Sequence, residues 1–325
     1  MKSVITRVVL KARQFQQWSV AQLLFALLTF LKLFPADASI RFADRFMRRL
    51  GPKLGRHNLI MKNLRNAYPE KDEEELSRIA VASWGHIGRL AAEYVFLDKL
   101  FDFDPENPGV GRIEVEGVER FMELLNRDKP FIVFTAHTGN FELLPVAAAS
   151  FGLYVTVLFR PPNNPYVADK VFRFRKKRMG RLVPSHAGSA FALAGALEKG
   201  EGVGVLVDQK FRRGTDTQYF NQDVKTNPLL AKLARQFDCT VYPARCIRLP
   251  DNRFRLVLEP EVTLPRDGTG RIDVTATAQL LNDKVESWVR EYPEQWLWYH
   301  DRWSRRKTVA ERYREQNEKK NRRKK

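Results

Sequence analysis

A chain of 325 residues is long enough to bury a full-sized core, so neither disulfides nor a structural metal is needed to hold it together. Lys and Arg outnumber Asp and Glu 56 to 38, and the resulting formal charge of +18 predicts attraction to a polyanion, either nucleic acid or an anionic membrane. Cys239 and Cys246 form no CxxC pair and have no His at ligand spacing, which argues against a zinc site or a disulfide framework and for packing roles in a reducing compartment.

The N-terminal segment, residues 1–40, carries Lys2, Arg7, Lys11 and Arg13 ahead of the apolar run Trp18 to Phe34. Ala36-Asp37-Ala38 resembles a signal-peptide cleavage site, but Arg41, Arg45, Arg48 and Arg49 follow at once. Positive charge on both flanks opposes translocation and favours the cytoplasmic side. The uncharged run falls short of the roughly 20 residues of a spanning helix, so an interfacial anchor and a single span both remain open.

Residues 41–100 read as a helical amphipathic region. Phe42, Phe46, Leu50 and Leu54 recur at helical spacing between arginines, a stripe that suits either a core-facing helix or membrane contact. Pro69 interrupts the pattern, and the acidic EKDEEE run suits the positive end of a helix from about Asp72 to Leu97. From 101 to 303, short β-rich runs (IEVEG, FIVFTA, LYVTVLF, RLVPS, GVGVLVD, TVYPARCI) alternate with helical windows. That alternation predicts an α/β domain with a mainly parallel or mixed sheet flanked by helices. Asp251-Asn252 separates two strand-like runs as a hairpin would, and a last amphipathic helix is expected from Val274 to Glu291. Residues 304–325 form a basic, charged tail with no apolar stripe.

Chemistry concentrates where FIVFTA ends at His137, with Gly139 and Asn140 suited to a turn or cap and Glu142 following in the first helical turn. At the end of a strand in an α/β sheet, side chains project into a crevice. A carboxylate on one imidazole nitrogen leaves the other as an acceptor, so His137 and Glu142 together suit a general base that deprotonates an alcohol. No cysteine or GxSxG nucleophile lies nearby, which points to direct transfer to a substrate hydroxyl without a covalent enzyme intermediate. Further strand ends carry Arg160 beside Pro161-Pro162, Asn164-Pro165, and Asp208-Gln209. Arg160 suits an acceptor phosphate, and Asp208 and Gln209 suit orienting the acceptor or supporting Arg160.

At these residues the chain resembles the lysophospholipid acyltransferase-like proteins and, more closely, the bacterial lipid A biosynthesis (late) acyltransferases. The resemblance runs from about residue 18 to 305 in five ordered blocks: KNLRNAYPE, His137 to Glu142, Arg160 to Pro165, Asp208-Gln209 and PEQWLWYHDRW. It implies a glycerolipid acyltransferase-like fold with an N-terminal membrane-anchoring helical region, on the cytoplasmic face of the cell inner membrane. It also implies transfer of a fatty acyl chain from acyl carrier protein, or from acyl-CoA, to a hydroxyl of a phosphorylated lipid A precursor. His137 would be the base and Glu142 its orienting partner, while Arg160, Asn164, Asp208, Gln209 and Asn140 would bind substrate. Backbone N–H groups near Gly139-Asn140 are expected to stabilise the oxyanion. No metal or cofactor is implied, and the partners are acyl carrier protein, the lipid acceptor and anionic membrane lipid. Other acceptors, such as a lysophospholipid, an ornithine-type lipid or a glycolipid, and a non-catalytic anionic-lipid binder on the same fold, are the alternatives. Nucleic acid is not expected, because no RNP, helix-turn-helix or zinc-finger pattern is present.

Overall fold

A computed structural model describes residues 2–127, 129–176, 178–186 and 188–303, so the basic tail expected at 304–325 lies outside the described residues. The chain begins with α1 (Lys2–Leu31) and, after the break at Pro35, α2 (Ala36–Leu50). In α2, Asp37 sits in the first turn and Arg48 and Arg49 in the last, matching the helix dipole at both ends. Asp37 also accepts both guanidinium nitrogens of Arg112, at 2.6 and 2.9 Å, and these bonds pull its carboxyl down to about 2. None of the described helices is long and apolar enough to cross a membrane.

Next come α3 (His57–Ala67) and α4 (Glu73–Leu100), the latter capped by Asp72, whose carboxylate accepts the Glu75 N–H at 2.8 Å. Ile60, Leu64, Leu76, Ala80 and Trp84 from these helices share one buried cluster with Ile132, Phe134, Val203 and Val205 of the sheet, so this helical region and the sheet have a common core.

The remaining elements alternate as the sequence suggests: β1 (Ile113–Glu116), α5 (Val118–Leu125), β2 (Phe131–Thr135), α6 (Leu143–Ser150), β3 (Val155–Phe159), α7 (Pro165–Lys176), β4 (Arg181–Pro184), α8 (Ser189–Glu198) and β5 (Gly202–Leu206). Then follow β6 (Lys210–Tyr219), β7 (Gln222–Thr226), α9 (Leu229–Phe237), β8 (Thr240–Arg248), β9 (Phe254–Leu258) and α10 (Val274–Glu291). Seven strands form a mixed sheet in the order β1-β9-β8-β2-β5-β3-β4. Its ladders are parallel except β8 with β9, the hairpin marked by Asp251-Asn252, both of which have positive φ. The β6–β7 hairpin, which the sequence reading missed, stands apart as a two-stranded antiparallel sheet.

Strand β2 lies inside the sheet and alternates between its faces. Ile132 and Phe134 face the cluster shared with α8, α9 and α10, whereas Val133 and Thr135 face the opposite side, toward α6. Its C-terminal end beside β5 is where the candidate catalytic groups collect.

Candidate active site

Strands β2 and β5 pair in parallel with Thr135 opposite Leu206, so His137 and Asp208, each two residues further on, leave the sheet side by side. The His137 ring meets Asp208 through Nδ1 at 2.8 Å from Oδ1, and the His137 backbone N–H donates to Oδ2 at 2.9 Å. The Trp296 indole is the third donor to this carboxylate, meeting Oδ2 at 2.8 Å. Burial pushes the Asp208 carboxyl upward, but His137, through its ring and backbone, and Trp296 together hold it well below the usual carboxylate range. An ionised Asp208 fixes the Nδ1–H tautomer and turns the Nε2 lone pair outward.

On that outer side, the Gln209 amide nitrogen lies 3.1 Å from His137 Nε2 and 3.4 Å from His300 Nε2. One amide can donate a hydrogen to each ring, the arrangement that satisfies both tautomers. Burial, reinforced by the neighbouring His137, pushes His300 down to about 4, so it stays neutral and able to accept.

The turn after His137 is tightly confined. Gly139 adopts a φ of +55°, and a β-carbon there would lie 2.0 Å from the Cys246 carbonyl oxygen, which no side chain tolerates. Its N–H donates to the Gln295 carbonyl at 3.1 Å, and the Asn140 backbone N–H is directed to the Cys246 thiol. The Gly139 backbone donor expected to contribute to an oxyanion hole is therefore committed within the protein. The Asn140 side chain is buried as well and donates to Glu93 Oε2 at 3.0 Å, which removes it from the substrate-facing residues. A strap of C-terminal residues closes this side: Leu297 N–H donates to the His137 carbonyl at 3.2 Å, and Asn63 Nδ2 holds the carbonyls of Trp298 and His300 at 2.7 and 2.6 Å. Asn63 belongs to the KNLRNAYPE block, which explains why that block and PEQWLWYHDRW occur together.

Glu142 is not the acceptor for His137. It is buried and pairs with Arg175 of α7, whose guanidinium also lies over the Tyr94 and Phe159 rings, at 5.9 and 5.6 Å. Burial raises the Glu142 carboxyl above its ordinary range, against the opposing pull of Arg175 and, more weakly, of His137. This pair borders a cavity of about 480 Å³ on the face of the sheet covered by α5 and α6. Val133, Val155, Val157, Gly204 and Leu256 form its sheet wall, while Thr135, Glu142 and Arg175 are the polar side chains along its lining. Phe141 joins the cavity to the histidine: its ring lines the cavity and meets the His137 ring edge-to-face at 4.9 Å.

Arg160 is exposed just beyond β3, near enough for its charge to depress His300. Asn164 has a different task from the expected one. Its Oδ1 accepts the N–H groups of Tyr166 and Val167 at 3.0 and 3.4 Å, capping α7, and its Nδ2 donates to the Gln17 carbonyl of α1 at 2.7 Å. Asp208 supports His137 rather than Arg160. The sequence reading assigned no role to Trp296, His300, Arg175 or Tyr94. The first two stand in the PEQWLWYHDRW block, which was the available signal, whereas nothing in the local pattern marked the other two.

Comparison with known proteins gives a consistent result. The sequence pattern of the bacterial lipid A biosynthesis acyltransferases matches residues 8–305. Three proteins of Escherichia coli (strain K12) are similar to the chain. Lipid A biosynthesis lauroyltransferase is 26% identical over 273 residues, 82% of this chain and 83% of that protein. Lipid A biosynthesis palmitoleoyltransferase is 24% identical over 257 residues, 77% and 79% of the two chains. Lipid A biosynthesis myristoyltransferase is 24% identical over 264 residues, 81% and 79%.

Proposed function

Because the chain belongs to the bacterial lipid A biosynthesis acyltransferase family and is thus an acyltransferase, we propose that it moves a fatty acyl chain from the thioester of acyl carrier protein to a hydroxyl of a phosphorylated lipid A precursor. The observation that carries this reading is the buried Asp208 on His137 Nδ1, with Nε2 turned outward and the ring in contact with Phe141, which lines the apolar cavity. In this mechanism Nε2 takes the proton of the acceptor hydroxyl as its oxygen attacks the thioester carbonyl. The tetrahedral intermediate then collapses, the C–S bond breaks, and the leaving thiolate recovers the proton from the imidazolium. Asp208 stabilises the imidazolium in between. Gln209, whose amide already reaches Nε2, is the side-chain donor placed to meet the developing oxyanion once the acceptor oxygen takes its position on the ring.

The acyl chain belongs in the cavity, whose volume lies within the roughly 300–1,000 Å³ of small-molecule sites and whose wall is apolar. Arg160, exposed on the same edge, suits an acceptor phosphate. Membrane seating is interfacial in this reading. Trp18, Leu23, Leu27 and Phe30 of α1 are exposed, and on α2 the exposed, stacked Phe42 and Phe46 stand among exposed Arg41, Arg45 and Arg49. Such a face suits the cytoplasmic leaflet of an anionic inner membrane.

The test is acyl transfer by the purified full-length chain, with acyl carrier protein charged with several chain lengths and an under-acylated, phosphorylated lipid A precursor, read by mass spectrometry. A new ester formed by wild type and not by folded His137→Ala is expected. Folded wild type that acylates nothing across these donors would refute the proposal.

A further inference from the structure

Behind the candidate catalytic turn lies a charged pair almost cut off from water. Glu93 of α4 is 0 % exposed and Arg248, at the end of β8, 7 %. Both terminal nitrogens of the guanidinium reach the carboxylate, Nη2 at 2.8 Å from Oε2, and the same Oε2 accepts the Asn140 amide at 3.0 Å. Taking two charges out of water costs about as much as their attraction returns, so net stability is a poor reason for such a pair to exist.

Its connections suggest a better one. Asn140 lies three residues beyond His137, and its side chain links the turn to Glu93. Arg248 reaches the same turn by a second route: its backbone N–H donates to Gln295 Oε1 at 2.8 Å, Gln295 Nε2 returns a bond to the Arg248 carbonyl at 3.0 Å, and the Gln295 carbonyl accepts the Gly139 N–H. Adjacent residues of the turn are thus tied to the two partners of one ion pair, Asn140 to the Glu93 carboxylate and Gly139, through Gln295, to the Arg248 main chain. Neither Glu93 nor Arg248 is within reach of His137 Nε2 through a hydrogen bond, so any influence on the reaction passes through the backbone between Gly139 and His137.

We propose that the buried Glu93–Arg248 pair is a positioning device for His137: by fixing the carboxylate that anchors Asn140, beside a Gly139 held through Gln295 by the Arg248 main chain, it sets the angle at which the imidazole meets Asp208 and presents Nε2 to the acceptor hydroxyl. The proposal rests on His137 being the base in the reaction above. It makes Glu93, Arg248 and Asn140 positioning residues, with no contact to the reacting atoms.

Three full-length variants separate positioning from simple stabilisation: Asn140→Ala, which keeps the ion pair and removes the link; Glu93→Gln, which keeps an acceptor for Asn140; and the charge-free double variant Glu93→Leu/Arg248→Met. A misplacement of about 1 Å in a catalytic group costs about 100-fold, so Asn140→Ala and the double variant should lose about that much kcat while KM for donor and acceptor stays unchanged. Glu93→Gln should keep more kcat than the double variant even where its melting temperature is lower. Asn140→Ala with wild-type kcat overturns the proposal, whether or not the double variant folds. The His137 Nδ1–H proton bonded to Asp208, observed by NMR in the absence of substrate, gives a readout independent of the acyl acceptor. If wild type transfers no acyl chain, the reaction assignment fails, and this resonance still decides the positioning: its loss in folded Asn140→Ala supports the device, and its retention at the wild-type shift overturns it.

Discussion

Asp208 holds His137 twice, once by the ring at 2.8 Å and once by the backbone N–H at 2.9 Å. A carboxylate that binds ring and main chain together fixes both the tautomer and the position of the imidazole. Replacing it with Asn keeps the shape but allows the amide to donate to the ring and favour the wrong tautomer. Asp208→Asn should therefore lower kcat by about 10⁴-fold, the size of the corresponding loss in serine proteases, with melting temperature little changed. Steady-state kinetics beside thermal unfolding would check both halves, and a variant with near-normal kcat would count against Asp208 as the orienting group.

Glu142 and Arg175 make a separate prediction. Glu142→Gln leaves Arg175 buried without its partner, which should cost about 3–5 kcal/mol of stability, whereas Glu142→Gln/Arg175→Met should recover most of it. Urea unfolding of the two variants distinguishes them. If Glu142→Gln instead abolished turnover at wild-type stability, Glu142 would be acting on His137 rather than holding Arg175.

Gly204 forms part of the cavity wall, and a β-carbon there would lie 3.3 Å from both Val155 and Val157. Gly204→Val should consume cavity volume and shift the preferred donor toward shorter chains. Each methylene that no longer fits forfeits about 0.8 kcal/mol of burial, close to a fourfold change in selectivity per carbon. Competition among donors of mixed length, read by product mass, measures it; an unchanged preference would place the acyl chain elsewhere.

On α2, the pair Phe42 and Phe46 offers a clean test of seating. Phe42→Ser/Phe46→Ser should reduce sedimentation with anionic vesicles, and the residual binding should fall steeply with salt because the surrounding Arg41, Arg45 and Arg49 act through screened charge. Equal recovery of variant and wild type at every salt concentration would exclude this face from the membrane contact.

Stability should depend on pH through His300. Burial holds it near 4 when folded, against about 6.5 in an unfolded chain, so between those values the unfolded state binds more protons. The contribution is fully present above about 6.5 and is lost as pH falls toward 4. Denaturant unfolding across that window should show stability declining with acid, and His300→Asn should flatten the slope. Fully buried His86, pushed well down by burial, and His57, lowered by the same cause, contribute in the same direction, so some slope remains.

Much of this architecture was legible in the residues themselves. The helix expected over Val274–Glu291 has those bounds, and the hairpin at Asp251-Asn252 joins β8 to β9. The β6–β7 hairpin escaped because KFRRGTDTQY offers no apolar alternation; its inward positions are Thr217, Tyr219, Val224 and Thr226, the threonines bonded to Asn282 and Tyr219 packed on the C-terminal tryptophans. The site shows a similar division. His137 announced itself at the end of an apolar strand. Its partner did not, because sequence proximity favoured Glu142, whereas the left-handed turn at Gly139 and the pairing of β2 with β5 brought in Asp208 from 71 residues away. Only the parallel register makes 137 and 208 neighbours, and a single sequence does not print its register. Asn164 is ambiguous in sequence for a different reason: a polar side chain before a proline fits a helix cap, the role it has here, as well as it fits a substrate.

Trp296 is the last donor to Asp208, and Arg302 secures the segment beyond it by bonding the Lys225 carbonyl and Thr226 of the β7 strand. A ribosome delivers the chain from its N-terminus, so His137, Glu142 and Asp208 emerge long before the indole that completes the carboxylate's shell. A chain that ended before residue 296 would therefore leave Asp208 one donor short and the strap over the His137 turn unmade.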